Sequence, residues 1–152
     1  MSEGNGQRIK VTVQWVKILD NLEPAFKAKG EFVFRSVVTS NNFPVKHESR
    51  FPATGHISIP DEPPFNKEII KWVIFEGEVV DHLVIELYGE EIDITSANDH
   101  LDDYRRELSG PVEGWLGTYG PGEDFSSEGD DGGDDDPESM SNWQVNIFID
   151  PV

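Results

Sequence analysis

The sequence predicts an all-β protein, an antiparallel β-sandwich of about eight strands with a disordered acidic loop before its last strand. Short apolar segments with a period of two follow one another, and clusters of Gly, Pro, Asn and Asp separate them every ~8–12 residues. Apart from residues 101–108, no segment shows the periodicity of an amphipathic helix, so we expect a helix content below ~15%. A β-barrel is the alternative architecture, because the pattern does not distinguish sheet closure from two packed sheets.

The predicted strands follow the alternation in chain order. In the first one, Ile9, Val11, Val13 and Trp15 share one face while Val16 lies on the other, which indicates a bulge or twist near Trp15. Gly77 and its neighbours at 76–78 are predicted as a turn, 101–108 as one helical turn or a short helix, and 114–117 as a strand or an ordered connection. The predicted strands are 8–19, 31–39, 47–50, 55–60, 68–76, 82–88 and 143–149.

Aromatic residues fall into two groups by their surroundings. Those on strand patterns are predicted to fill the core, as expected for large apolar side chains. Trp115 and Tyr119 lie in a Gly-rich stretch, where we expect exposed side chains that form a binding surface. The predicted core aromatics are Trp15, Phe32, Phe34, Trp72, Phe75 and Phe148.

Composition limits the classes of partner. The chain has 152 residues, a formal net charge of −18 and no cysteine, so disulfides and thiolate metal sites are excluded. Its negative charge argues against binding to nucleic acid, and against a membrane surface in the absence of calcium. A divalent cation and a basic protein remain as partners. The polar first residues and the lack of a long apolar run predict a cytoplasmic protein.

The acidic residues are concentrated late in the chain. Residues 107–152 contain twelve acidic residues and no Lys or Arg, and nine of the twelve lie within 123–138. With its Gly and Ser, this tract cannot bury enough apolar surface to order itself. We therefore predict that residues 123–139 form a disordered loop inside a single domain spanning 1–152.

A second acidic segment follows a well-defined strand. Leu83, Ile85 and Leu87 alternate, and the strand is predicted to break at Gly89 into a carboxylate-rich loop that extends to Asp103. A rigid strand that carries carboxylates into a loop is suited to a hard cation such as calcium, which prefers six to eight oxygen ligands. The alternative is that these residues only keep the surface charged. The candidate ligands in this segment are Glu91, Asp93, Asp99 and Asp102.

This segment resembles the C-two domain family, the calcium- and phospholipid-binding β-sandwich named after the second conserved region of protein kinase C. Family members carry a strand of the type L-x-V-x-V-x-D and then an acidic loop that ends in an acidic residue, a hydrophobic residue and Gly. Here the strand is LVIELYG, and the loop carries Glu91, Asp93 and Asn98-Asp99 before His100-Leu101-Asp102. Gly89 stands where the family has a ligand aspartate, and Asp102 stands where it has Gly.

The resemblance extends to the first strand and implies a calcium site. RIKVTVQWVKILD runs into Asn21-Leu22-Glu23-Pro24, where the family has an early loop with two aspartates, so Asp20 and Glu23 join the candidate ligands. The family fold has eight strands with its calcium loops at one end, which would place Asp20 at the same rim as 91–102. Because several ligands are displaced from the family pattern, we expect a dissociation constant of about 10⁻⁵–10⁻³ M.

Catalytic motifs are missing from the sequence. The histidines, His47, His56, His82 and His100, show no HExxH or HxH spacing, and neither a G-x-S-x-G elbow nor a Gly-rich phosphate loop is present. Carboxylate pairs of the kind used by glycosidases occur only as expected in a chain so rich in acids. The sequence therefore predicts a non-catalytic calcium-binding module. The alternative function is a metal-independent interaction module that uses its acidic surface, and an enzyme of unrecognised type is a third hypothesis.

Overall fold

The structure, a computed structural model, describes residues 6–18, 29–40, 46–60, 67–92, 99–120 and 143–152. These residues form two antiparallel sheets that enclose one apolar core, so the predicted β-sandwich is confirmed. The acidic tract 123–139 lies outside the described residues. The strands are β1 (Gln7–Ile18), β2 (Lys29–Ser40), β3 (Lys46–Phe51), β4 (Ile57–Pro60), β5 (Lys67–Val79), β6 (His82–Glu91), β7 (Asp99–His100), β8 (Tyr104–Ser109), β9 (Gly117–Tyr119) and β10 (Trp143–Pro151).

The strands divide into a four-stranded sheet of order β5-β1-β10-β9 and a six-stranded sheet built on β3-β2-β6-β7. In the second sheet, β3 and β4 pair with successive parts of β2, and β7 and β8 pair with successive parts of β6. Each of these pairs of segments acts as one interrupted edge strand. The ten segments therefore correspond to eight strands in a sandwich, as the sequence predicts.

The core lies between the inner faces of the two sheets. The inward positions of β6, among them Leu83, Ile85 and Leu87, are buried while the residues between them are half-buried. Phe32, Phe34, Trp72 and Phe75 are buried in the same cluster, as predicted. Phe148 is only half-buried, because its position on β10 alternates with the buried Ile147 and Ile149. The prediction that Phe148 belongs to the core is wrong.

A bulge in β1 changes which face each residue occupies. The pairing of β1 with β10 shifts between Val13 and Trp15, as the sequence indicates. The shift brings Val16 and Ile18 into the same core cluster as Val13. Trp15 is buried at 4% exposure but lies on the outer face, opposite Asn146. The predicted assignment of faces is therefore wrong beyond the bulge, because one extra residue reverses the alternation.

Two local predictions are overturned by strand pairing. Residues 76–78 continue β5 to Val79, because Gly77 pairs with Ile9 across to β1. Residues 104–109 form β8 rather than a helix, because they pair with 82–87 of β6. The described residues contain one 3-10 helix, Val112–Trp115, and no α-helix. Pairing with a distant strand determines the conformation of both segments, and the local sequence pattern does not reveal that pairing.

Candidate metal site at one end of the sandwich

Both sheets end together at one end of the sandwich, which we call the loop end. On the four-stranded sheet, Ile18 pairs with Trp143 at the end of β1 and the start of β10. The indole N–H of Trp143 donates to the carbonyl of Asp102 at 2.7 Å, and its ring stacks on Phe34 with centroids 5.4 Å apart. The start of β10 is therefore tied to the end of the six-stranded sheet that holds Glu91.

Four segments of the chain are anchored at the loop end. Residues 19–28, 61–66, 93–98 and 121–142 join strands whose described ends lie there. By sequence these segments hold two, two, one and nine acidic residues, fourteen of the chain's 30, together with one lysine. Nearly half of the acidic residues are thus attached to one end of a protein with a net charge of −18.

Glu91 has the most unusual environment of the predicted ligands. Glu91 is 0% exposed, and neither of its carboxylate oxygens has a hydrogen-bond partner among the described residues. The reason is positional: β6 keeps its alternation from Leu83 to Glu91, so Glu91 occupies the last inward-facing position of the strand. A buried carboxylate without a partner is costly, and such groups are normally paired or bound to a metal.

Gly89 does not break β6, contrary to the prediction, and the strand passes through it to Glu91. Leu101 returns over this point, with its backbone N–H donating to the carbonyl of Gly89 at 2.9 Å. A Cβ atom on Gly89 would lie 2.6 Å from Leu101 Cδ1 and 3.2 Å from the ring of Phe34. A side chain at position 89 would therefore require Leu101, and to a smaller extent Phe34, to move.

The structure brings three of the six predicted ligands to the loop end. Asp99 pairs with Glu91 across β6 and β7, and Asp102 is half-buried three residues later, where its carbonyl receives the Trp143 indole. Asp20, Glu23 and Asp93 lie outside the described residues. Within the described ranges, no group of three or more His, Asp or Glu side chains is placed to hold a metal ion.

Neighbouring carboxylates differ from Glu91 because they have partners. Glu90 faces the opposite side of β6 and lies 3.5 Å from His100 Nδ1. Glu31, at the start of β2, lies 3.4 Å from His56 Nε2. These histidines are therefore engaged on the outer face of the sheet. The inner side of the loop end presents the Glu91 carboxylate.

The prediction of an exposed binding surface around Trp115 is wrong. Trp115 is 2% exposed, and its indole N–H donates to the carbonyl of Ser109 at 3.1 Å. The hydroxyl of Tyr119 donates to the carbonyl of Trp115 at 2.6 Å, and burial raises the pKa of that hydroxyl above its ordinary value. The Gly-rich stretch folds back as a 3-10 helix and β9, so the indole fills the core.

Sequence reasoning also missed the structural role of Trp143. It placed this residue only at the start of the last strand, whereas the indole holds Asp102 at the loop end. A buried indole N–H normally requires an acceptor, and this is the signal that points to such a contact.

Comparison with models of known protein families and with curated proteins gave no match for this chain. Among the described residues, no helix has the length and apolar character needed to cross a membrane.

Proposed function

We propose that this chain is a non-catalytic calcium-binding β-sandwich module, with its metal site at the loop end and Glu91 as the innermost ligand. The observation that carries the proposal is the carboxylate of Glu91, which is fully buried and has no hydrogen-bond partner within the described part of the chain. A bound cation would offset the cost of burying that charge. The attraction between the cation and the Glu91 carboxylate is stronger where water is excluded.

The chemistry of the surrounding residues favours calcium over other metals. The chain has no cysteine, and the described histidines near the loop end already lie beside Glu90 and Glu31. Oxygen ligands without thiolate or free imidazole suit calcium or magnesium rather than zinc. The proposed ligands beside Glu91 are Asp99 and Asp102 at the same end, and Asp20, Glu23 and Asp93 from the anchored segments.

Two features of the fold support the proposal through the resemblance to C-two domains. That family has eight strands, and here ten segments correspond to eight strands. Its calcium loops lie at one end, and here four acidic segments are anchored at one end. Binding to a membrane is proposed only for the calcium-loaded state, because the metal-free chain carries a large negative charge.

A calorimetric calcium titration tests the role of Glu91. We expect wild type to bind with a dissociation constant of about 10⁻⁵–10⁻³ M, and Glu91→Gln to bind at least tenfold more weakly. The matched control is Glu90→Gln, which alters the adjacent carboxylate on the opposite face of β6 and should leave the affinity unchanged. Equal affinities for wild type and Glu91→Gln would remove Glu91 from the site.

A second experiment tests the candidate ligands from the adjoining segment. Millimolar calcium should raise the melting temperature of wild type because it binds only the folded state. The double variant Asp93→Asn/Asp99→Asn should show a much smaller rise, and magnesium should replace calcium poorly because it demands stricter octahedral geometry. A calcium response that is the same in the double variant would locate the metal elsewhere, in the tract 123–139.

The alternative function is binding of a basic protein without metal. The observation that favours it is the set of fourteen acidic residues in segments anchored at the loop end. Capture of a basic protein that weakens with salt and is unaffected by calcium or by a chelator would support this function instead.

A further inference from the structure

A shallow cleft lies on the outer face of the six-stranded sheet, over strands β3, β2 and β6. We call it the Arg35 cleft and define it by Arg35, Val37, Glu48, Arg50 and Tyr88, which line it. Its volume of about 310 Å³ is at the lower end of the range for small-molecule sites. In the sheet, Arg35 stands between Arg50 and Tyr88, and Val37 stands opposite Glu48.

Two arginines face each other directly across β2 and β3 in this cleft. The Arg50 guanidinium donates to the carbonyls of Pro52 at 2.7 Å and Gly55 at 2.8 Å, which are neutral acceptors. Arg35 is exposed, and its side chain forms no ion pair or hydrogen bond with the described residues. Like charges directly opposite each other in a sheet are destabilising, so an anionic group bound between them would relieve the repulsion.

The carboxylates on either side of Arg35 differ in whether they are engaged. Glu86 is diagonal to Arg35 on β6, but its carboxylate accepts from the Tyr88 hydroxyl and lies 3.9 Å from Arg105 Nε. Glu48 is diagonal to Arg35 on β3, is exposed, and forms no ion pair within the described part of the chain. Diagonal neighbours in a sheet are about 7–8 Å apart. The cleft therefore offers one cation and one anion, separated and both available.

An apolar wall lies beside these two charges. Val37 and Tyr88 are both half-buried and line the cleft on β2 and β6. The hydrogen bond from the Tyr88 hydroxyl to Glu86 orients the ring, and burial, followed by the charge of Glu86, raises the pKa of Tyr88 above its ordinary value. Tyr88 is therefore a neutral, oriented aromatic surface next to Arg35.

We propose that the Arg35 cleft binds a free α-amino acid with an apolar side chain, as its zwitterion. The ligand carboxylate would pair with Arg35, its ammonium with Glu48, and its side chain would pack on Val37 and the Tyr88 ring. A ligand with only negative charge would be repelled by the carboxylates around the cleft, and a ligand with only positive charge by the two arginines. This inference does not rest on the calcium site, because Tyr88 and Glu91 face opposite sides of β6.

The first test is a titration of the full chain with L-leucine, followed by amide NMR shifts in the presence of a chelator. We expect a dissociation constant on the order of 10⁻³ M, because ion pairs at an exposed site contribute little. Amides of 35–37 and 48–50 should shift. L-leucinamide lacks the carboxylate and N-acetyl-L-leucine lacks the ammonium, so each should bind about tenfold more weakly than L-leucine.

Single variants then test the two charged groups. Arg35→Gln and Glu48→Gln should each weaken L-leucine binding about tenfold, and circular dichroism checks that both fold, as expected for exposed positions. The matched controls are Lys71→Gln and Glu76→Gln, at exposed positions of the other sheet, which should bind as wild type does.

Four outcomes would overturn the proposal. They are no L-leucine binding at ten times the expected dissociation constant, equal binding of L-leucine and either analogue, unchanged affinity in either cleft variant, and shifts of the cleft amides that are larger with inorganic phosphate than with L-leucine.

Discussion

Leu101 lies directly on Gly89, and this contact joins the return of the acidic loop to the inner face of β6. The backbone N–H of Leu101 donates to the carbonyl of Gly89 at 2.9 Å, and Leu101 itself is 2% exposed. Because the glycine has no side chain, the leucine can occupy the space above it. β6 continues through Gly89 with its alternation unbroken, so Glu91 occupies the next inward-facing position of the strand.

We expect Gly89→Ala to destabilise the protein by about 1–3 kcal/mol, the usual cost of overpacking a core. The added Cβ would meet Leu101 Cδ1 at 2.6 Å and the ring of Phe34 at 3.2 Å. The matched control is Gly114→Ala, because a Cβ there meets nothing within 4 Å. Urea unfolding followed by circular dichroism measures both. A Gly89→Ala variant as stable as Gly114→Ala would mean that Leu101 does not pack on this glycine.

Trp143→Phe should cost about 1–3 kcal/mol in unfolding free energy, because it removes the donor to a carbonyl inside the structure. The indole N–H reaches Asp102 at 2.7 Å, and the residue is 1% exposed. The aromatic contact with Phe34 would remain in the variant. If the loss is confined to calcium affinity and the stability of the metal-free protein is unchanged, the bond does not hold the two sheets together.

Glu91→Met should raise the stability of the metal-free protein, since it replaces a buried carboxylate by an apolar side chain of similar length, and that carboxylate has no hydrogen-bond partner in the described ranges. The expected gain is about 1–3 kcal/mol, the cost of leaving a buried polar group unsatisfied. Unfolding is measured with a chelator present. Glu90→Met is the control, because that carboxylate lies beside His100 on the outer face. A loss of stability in Glu91→Met would show that the carboxylate has a stabilising partner.

Glu107 should contribute to the acid sensitivity of the fold. The hydrogen bond with His82 at 2.7 Å, and then the nearby Arg105, lower the pKa of Glu107 from its ordinary 4.5. A lowered carboxyl pKa stabilises the folded state above the unfolded value, and this contribution is lost as pH falls through the folded value. The stability difference between wild type and Glu107→Gln should therefore shrink as pH falls below about 4.5.

Glu113→Gln is the control for the acid experiment, because Glu113 is exposed on the 3-10 helix. Urea midpoints measured over a series of pH values should show that this variant follows wild type. If the stability difference between wild type and Glu107→Gln stays constant down to low pH, the prediction is wrong.

The candidate site was only partly accessible from sequence. The pattern that identified Leu83, Ile85 and Leu87 as inward-facing continues through Gly89 to Glu91, and extending it four more residues predicts a buried carboxylate. Glycine is a common strand breaker, and this local preference led to the prediction of a loop. Nothing in the local pattern reported that Leu101 would need the space at Gly89.

By itself, the sequence determined the sandwich class and the inward residues of regular strands such as β6. This follows because a period of two is a local property of each strand. Tertiary structure alone decided the face occupied by Trp15, the burial of Trp115 and the position of Asp102 beside Trp143. These depend on register between strands distant in the chain, where one extra residue at a bulge reverses every face that follows.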